Sequence, residues 1–426
     1  MRLLLITHSY RPERTPPQRR WEAFIGSFRE AGWDVDVVVP EPDRDQMPVE
    51  GGDLGNQRRT SWETGPAGER LWRTRRIPGL GRTRDGRFLG HIAHALAAVP
   101  ASFRAGRPDV VVITVPALPT VVAGWAVSRL RAAPLLVEMR DAWPDLARES
   151  GVKAGALSRL MESLVTGTQK AADLVVTVTE GFGERLRERG VGPVEVVGNG
   201  VSLADIEPVP PRTRTAGELH VLYLGNHGES QGLETVIRAA SLVQSGPERI
   251  SVRLVGSGTQ FEALAELNDR LGGPVEMLGP VYGAELREQY AWADTCLVTL
   301  RPDWPSFEWT VPSKTYELLA VGRHITGVVT GEAARILRDS GAADIVDATP
   351  EALARTWTRL AADPTSTVKD GTGRQWVAEH ADLPGLGRRF VSLARDVAEG
   401  RAYNRQVSFC RRRTIHPGTF NEGLSL

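Results

Sequence analysis

The feature that most restricts the fold is an alternation of short apolar runs with longer stretches of helical spacing, which occurs twice and is broken once by prolines. Leu3–Ile6, Val35–Val39, Val110–Thr114, Leu135–Val137, Leu174–Val178 and Val194–Val197 read as strands, and Arg20–Ala31 and Pro119–Leu130 as helices between them. Unbroken Val/Leu/Ile runs separated by helices indicate a parallel sheet covered on both faces. The segment Glu207–Ala216, with Pro208, Pro210 and Pro211, cannot continue a sheet and reads as a linker. A second series follows, with strands at Leu219–Leu224, Ser251–Val255, Val275–Leu278, Cys296–Thr299 and Ile325–Val329 and helices from Leu233 and over Gln260–Leu271. The expected fold class is therefore α/β, with two Rossmann-like doubly wound domains facing a central cleft. The expected bounds are 1–206, a linker at 207–216, and 217–385. A helix at about 386–400 is expected to return to the first domain, and 401–426 forms a tail. Such folds bind ligands at the carboxyl ends of their strands, here in the cleft.

Composition removes several function classes. The 52 basic and 52 acidic side chains leave no net field for bulk nucleic-acid binding. Two cysteines, Cys296 and Cys410, are too few for a disulfide framework. The first apolar run is too short for a signal peptide, and no window approaches the roughly 20 apolar residues of a membrane span. The expectation is a cytoplasmic protein, with peripheral contact at the inner face of the membrane open to it. Almost all basic residues are arginine: the lysines are Lys153, Lys170, Lys314 and Lys369, so each retained lysine is informative.

Two stretches carry the chemistry. In Tyr223–Glu234 a strand runs into a glycine-rich loop and a helix. Gly225, Asn226, Gly228 and Gly232 would let backbone approach a diphosphate at the helix N-terminus; a tight turn with no ligand would look the same. Gln231 lies in the same loop, and a weaker turn, Gly256-Ser257-Gly258, follows the next strand. In Glu308–Gly322, Pro312 suits the first turn of a helix, which places Ser313 and Lys314 at its anion-attracting end and Glu317 one turn later on the same face. A compact ammonium suits phosphate oxygens, and a carboxylate suits a ribose, whose hydroxyls donate. The bland alternative is a surface helix with an ordinary Lys–Glu pair.

These motifs, with Arg140-Asp141-Ala142-Trp143-Pro144-Asp145 and the turn Asn199-Gly200-Val201, occur in an order that resembles the retaining family 4 glycosyltransferases of the GT-B fold. The resemblance is strongest to members that build bacterial cell-surface polysaccharides, such as colanic-acid and O-antigen aminosugar transferases. It implies that Gly225, Asn226 and Gly228 meet the donor diphosphate, that Lys314 neutralises the leaving nucleoside diphosphate and that Glu317 holds the ribose. It also places Glu308 near the donor sugar, and Arg140 and Asp141 near the reacting sugar and the acceptor. No cofactor or metal is implied; the nucleotide-sugar, expected to be UDP-linked, is a substrate. The acceptor is expected to be a glycan or a polyprenyl-diphosphate-linked intermediate. Other readings are a natural-product or soluble-glycoside transferase and a GT-B-fold nucleotide-sugar epimerase or hydrolase.

The sequence departs from that pattern. Glu308 and Glu317 are nine apart, against the commoner eight. The loop after the first strand, Tyr10–Arg20, is stiff and basic where glycines are usual, which makes Arg14, Arg19 and Arg20 candidates for cleft contacts, together with Asn199. The stretch Gln57–Arg87 holds nine arginines against three acidic residues, and it leads into a helical pattern with apolar positions 88, 89, 92, 95, 96 and 99. A basic rim of this kind would suit an anionic membrane surface.

Overall fold

The computed structural model describes residues 1–13, 15–42, 62–77, 84–115, 118–140 and 156–401. Strands β1 (Arg2–Ile6), β2 (Asp34–Pro40), β3 (Glu63–Thr64), β4 (Arg70–Thr74), β5 (Val110–Val115), β6 (Leu135–Met139), β7 (Leu174–Thr177) and β8 (Val194–Val196) form one sheet. Its order is β3-β4-β2-β1-β5-β6-β7-β8, parallel apart from the edge pair β3–β4. A second sheet contains β9 (Glu218–Asn226), β10 (Arg249–Ser257), β11 (Val275–Leu278), β12 (Thr295–Thr299), β13 (His324–Val328) and β14 (Ala343–Ile345). Its order, β11-β10-β9-β12-β13-β14, is parallel throughout. Two doubly wound sheets facing a central cleft make this a GT-B fold.

The apolar runs behave as a two-sided sheet requires. Leu3 and Leu5 enter one core cluster while Leu4 and Ile6 enter the other, and all four are fully buried. In the second sheet Leu219, Val221 and Tyr223 face one cluster and Leu222 the opposite one.

Three elements differ from the sequence reading. The first helix spans Pro16–Glu30 and so starts four residues early. The Thr15 hydroxyl caps it by accepting from the Gln18 amide at 3.3 Å, and Pro16 and Pro17 occupy first-turn positions that need no N–H donor. Arg19 and Arg20 are therefore helical rather than in a loop. The helix Arg84–Ser102 turns Ala95, Ala98 and Ala101 to the core and leaves Leu89 and Leu96 exposed, because small side chains allow a close approach to the sheet. The linker segment Glu207–Ala216 is fastened to the second half, which its composition does not indicate. Val209 is buried there, Arg212 pairs with Asp294 at 3.0 Å, and Arg214 donates to the Leu360 carbonyl at 2.8 Å. It therefore moves with the second sheet, and any hinge lies upstream, where Val201 bonds to Ala381 and Leu383 bonds back to Val201.

The final helix, Leu383–Ala398, packs on Pro16–Glu30. Phe390 lies 5.3 Å from both Trp21 and Phe24, centroid to centroid, and 6.3 Å from Phe28.

Candidate functional site

The strand order reverses between β1 and β5 in the first sheet and between β9 and β12 in the second. Loops diverge at such points and leave a crevice. Between the halves lies a cavity of about 1060 Å³. Arg11, Arg19, Arg20, Arg140 and Asn199 line it from the first half; Arg287, Tyr290, Ser313 and Glu317 line it from the second.

The helix Ser313–Val321 turns Thr315, Tyr316, Leu318 and Leu319 into the core, which leaves Ser313, Lys314 and Glu317 on the outer face. Pro312 stands just before its first turn, and Gly322 ends it at φ 84°. Lys314 Nζ donates to Glu317 Oε1 at 2.8 Å and to the Tyr290 hydroxyl at 3.0 Å, and that hydroxyl donates to the same carboxylate oxygen at 2.6 Å. The Lys–Glu pair of the bland alternative is thus present, but it has a third member, and Glu317 and Tyr290, though not Lys314, line the cavity. Burial alone would raise the Glu317 carboxyl. The Lys314 charge and the two hydrogen bonds outweigh it and hold the group below its usual value, helped by Arg19 across the cleft. Burial, then the Glu317 charge, pushes the Tyr290 phenol upward, so it remains a donor. Tyr290 has no signal in the sequence, because its partner is 27 residues away on another helix.

The glycine-rich loop is shaped first by packing. Gly225 and Asn226 end β9 and pair with Gly256 and Ser257 of β10. Gly256 has φ +145°, and a Cβ there would strike the Gly225 carbonyl; one at Gly258 would strike the His227 carbonyl. His227 is buried and stacks on Phe261 at 5.4 Å. The Gly228 amide donates to the Gln231 side chain at 3.1 Å, and the Gln231 carbonyl accepts from Thr299 at 2.8 Å. None of Gly225, Asn226, Gly228, Gln231, Gly256, Ser257 or Gly258 lines the large cavity. Nor does Glu308, which is exposed and ends the short turn Pro305–Glu308.

In the first half Arg20 is only 2% exposed. Its Nε donates to Glu138 at 2.8 Å, and its terminal nitrogens donate to the Gly198 and Val197 carbonyls at 2.5 and 2.9 Å. Trp21 Nε1 donates to the other Glu138 oxygen at 2.9 Å. Arg20 is thus a strut that fixes the approach to Asn199, because its fork is already filled with protein acceptors. Arg19 and Arg140 line the cavity. His8, just past β1, is held neutral with its pKa down to about 3, by burial first and then by His91 and Arg140. Arg14 and Asp141 lie outside the described residues. Among the described residues no cluster of three or more His, Cys, Asp or Glu side chains has a metal-binding arrangement, and no helix is long and apolar enough to cross a membrane.

Residues 17–200 match the family described as "Glycosyl transferase 4-like domain", and residues 218–363 match "Glycosyl transferases group 1". The fold and the two matches define a glycosyltransferase of the GT-B class. Within that class the chain is a family-4-like enzyme. Solved structures share the fold at low identity. A sucrose-phosphate synthase from Thermosynechococcus elongatus superposes with a TM-score of 0.70 at 18% identity, over 94% of this chain and 99% of that one. Anabaena HepE in complex with UDP-glucose gives 0.63 at 14%, over 92% and 98%. The lipopolysaccharide outer core galactosyltransferase WaaB gives 0.59 at 11%, over 94% and 100%. No curated protein matches the sequence.

Proposed function

We propose that the enzyme transfers a sugar from a UDP-linked donor, with retention of anomeric configuration, to a polyprenyl-diphosphate-linked glycan intermediate of cell-surface polysaccharide synthesis. The observation that carries the donor half is the contact set of Lys314, Tyr290 and Glu317, of which Tyr290 and Glu317 line the cavity. A departing diphosphate gathers negative charge in the transition state, and a fixed ammonium in a water-poor cleft stabilises it more there than in the ground state. Lys314 takes that role. Glu317, kept ionised by its neighbours, accepts from the ribose hydroxyls. The Gly225–Gln231 loop and the Gly256–Gly258 turn border the diphosphate, Glu308 faces the donor sugar, and Arg19, Arg140, Asp141 and Asn199 form the acceptor side.

The membrane half of the reading is supported by an exposed apolar face. The helices Arg84–Ser102, Leu118–Arg131 and Ala156–Ala171 pack in a row. They and the turn after the first expose Leu89, Leu96, Phe103, Trp125, Leu160 and Leu164. Arg104, Arg129, Arg159 and Lys170 are also exposed along them. Apolar side chains edged by cations suit the interface of an anionic bilayer. The enzyme is then a cytoplasmic protein docked at the inner membrane face.

The test is a panel of nucleotide-sugars with polyprenyl-diphosphate-linked and soluble acceptors, read as nucleoside diphosphate release and glycosylated product. Transfer from a UDP-sugar to the lipid-linked acceptor is expected. Efficient transfer only to soluble acceptors rejects the lipid-linked reading, and full-rate release with no acceptor identifies an epimerase or hydrolase.

A further inference from the structure

Away from the cavity the halves meet at a second place, where each completes the other. Thr179 stands at the N-cap of the helix Glu180–Glu188, yet it makes no side-chain cap to that helix. Its hydroxyl instead donates to the Trp309 carbonyl in the other half, at 2.8 Å. The helix amides left open are taken by the other half as well: Glu180 N donates to one Glu332 oxygen at 3.2 Å and Gly181 N to the other at 3.1 Å. An uncapped helix start is a set of unsatisfied donors with a partial positive charge, so a carboxylate seated on it is well matched.

Trp309 is also shared. Its side chain packs against the first sheet's core cluster that holds Phe182 and Leu186, with the Arg185 guanidinium 5.6 Å from its ring centroid. A Cβ on Gly181 would lie 2.8 Å from the Trp309 Cβ, so only glycine admits the indole here. On the second half's side, Gly331 at φ +54° lies directly against the Glu308 carbonyl, which a Cβ would strike. The turn carrying Glu308 is therefore held from below by Gly331 and from across the interface by Thr179.

We propose that Thr179, Trp309 and Glu332 form an interdomain latch that positions the Glu308 turn when the cleft is shut. Thr179 and Glu332 are positioning residues: they touch no substrate and act through the loop. The inference rests on the proposed role of Glu308, but its structural half does not. With the halves apart, the helix Glu180–Glu188 loses its cap, Trp309 is exposed to water, and the turn loses its Thr179 contact while Phe307 and Gly331 still hold it from its own half. Closing the latch thus couples approach of the domains to completion of the donor site.

Thr179→Val, Thr179→Ser, Glu332→Ala and the Thr179→Val/Glu332→Ala pair test this. In small-angle scattering of the ligand-free full chain, the paired variant is expected to have a larger radius of gyration than wild type. Thr179→Val and Glu332→Ala are expected to lower kcat roughly ten- to hundredfold. UDP affinity by calorimetry should stay within about twofold, because the residues proposed to hold the nucleotide are elsewhere. Thr179→Ser, which keeps the hydroxyl, should retain wild-type turnover. An unchanged radius of gyration in the paired variant, or unchanged kcat in folded single variants, overturns the latch. If Glu308→Gln keeps full turnover while the paired variant still expands, the role of Glu308 fails and the latch stands.

Discussion

The Tyr290 hydroxyl and the Glu317 carboxylate meet at 2.6 Å, and Lys314 touches both, so a phenol, an ammonium and a carboxylate share one oxygen. The carboxylate is thereby aimed by two donors from two helices. Tyr290→Phe removes one of them without changing the packing of the ring. Affinity for UDP is expected to fall about tenfold, in the range of one hydrogen bond to a charged group. Affinity for pyrophosphate should stay the same. Calorimetric titration of both ligands separates the cases, and equal losses would place the carboxylate off the ribose. Glu317→Gln should show the same asymmetry, more strongly.

Lys314→Ala should lower kcat by roughly two to three orders of magnitude, the usual cost of one transition-state charge stabiliser, while the protein stays folded. It should also move the acid side of the pH–rate profile. Lys314 is the leading influence holding the Glu317 carboxyl below its ordinary value. In the wild type the ionised form therefore survives well into acid and is lost only as pH falls through that lowered value. Without the ammonium, burial dominates and the pKa rises, so the limb shifts toward neutral pH. A profile that drops in height without moving would separate the two groups.

Arg20 and Glu138 form a buried pair whose side chains are 3% and 0% exposed. Arg20→Ala leaves the carboxylate without its partner and should destabilise the fold by about 3–5 kcal/mol, read by urea denaturation. Burial alone would raise the Glu138 carboxyl, but Arg20 and then Arg140 hold it low. With the folded value below the unfolded one, its stabilising contribution is complete above the ordinary carboxylate range and is lost as pH falls through the folded value. Arg20→Ala should remove that acid dependence. A variant as stable as wild type at neutral pH would mean that the strut is dispensable.

Liposome flotation addresses the apolar helices. Wild type should float with vesicles containing anionic lipid and should be released by salt. Leu96→Asp/Phe103→Asp, both at exposed positions, should abolish flotation while leaving turnover on a soluble acceptor unaltered. Flotation that survives the double change removes this face as the contact.

The sheets and their division were legible because continuous Val and Leu runs have few other uses, and because Pro208, Pro210 and Pro211 admit no strand. Helix starts were less so: Pro16-Pro17 reads as a stiff loop until the Thr15 cap shows it to be a first turn. The outward face of Ser313, Lys314 and Glu317 followed from helical spacing. Tyr290, Thr179 and Glu332 did not, because each acts on a partner far off in the chain, and nothing local distinguishes a phenol or carboxylate that will find one. The part Arg20 plays as a buried strut was hidden for the same reason, since its acceptors, Glu138, Val197 and Gly198, are 118 to 178 residues away.

The packing of Phe390 against Trp21, Phe24 and Phe28 sets an order of events during synthesis. The aromatic flank of the earliest helix leaves the ribosome long before the residue that covers it. Through the making of the whole second sheet that flank must stay bare or be shielded by something else, so the half made first is finished last. Translation halted before Phe390 would yield chains whose second sheet is complete and whose first exposes an aromatic surface, the kind of species on which chaperones and aggregation act.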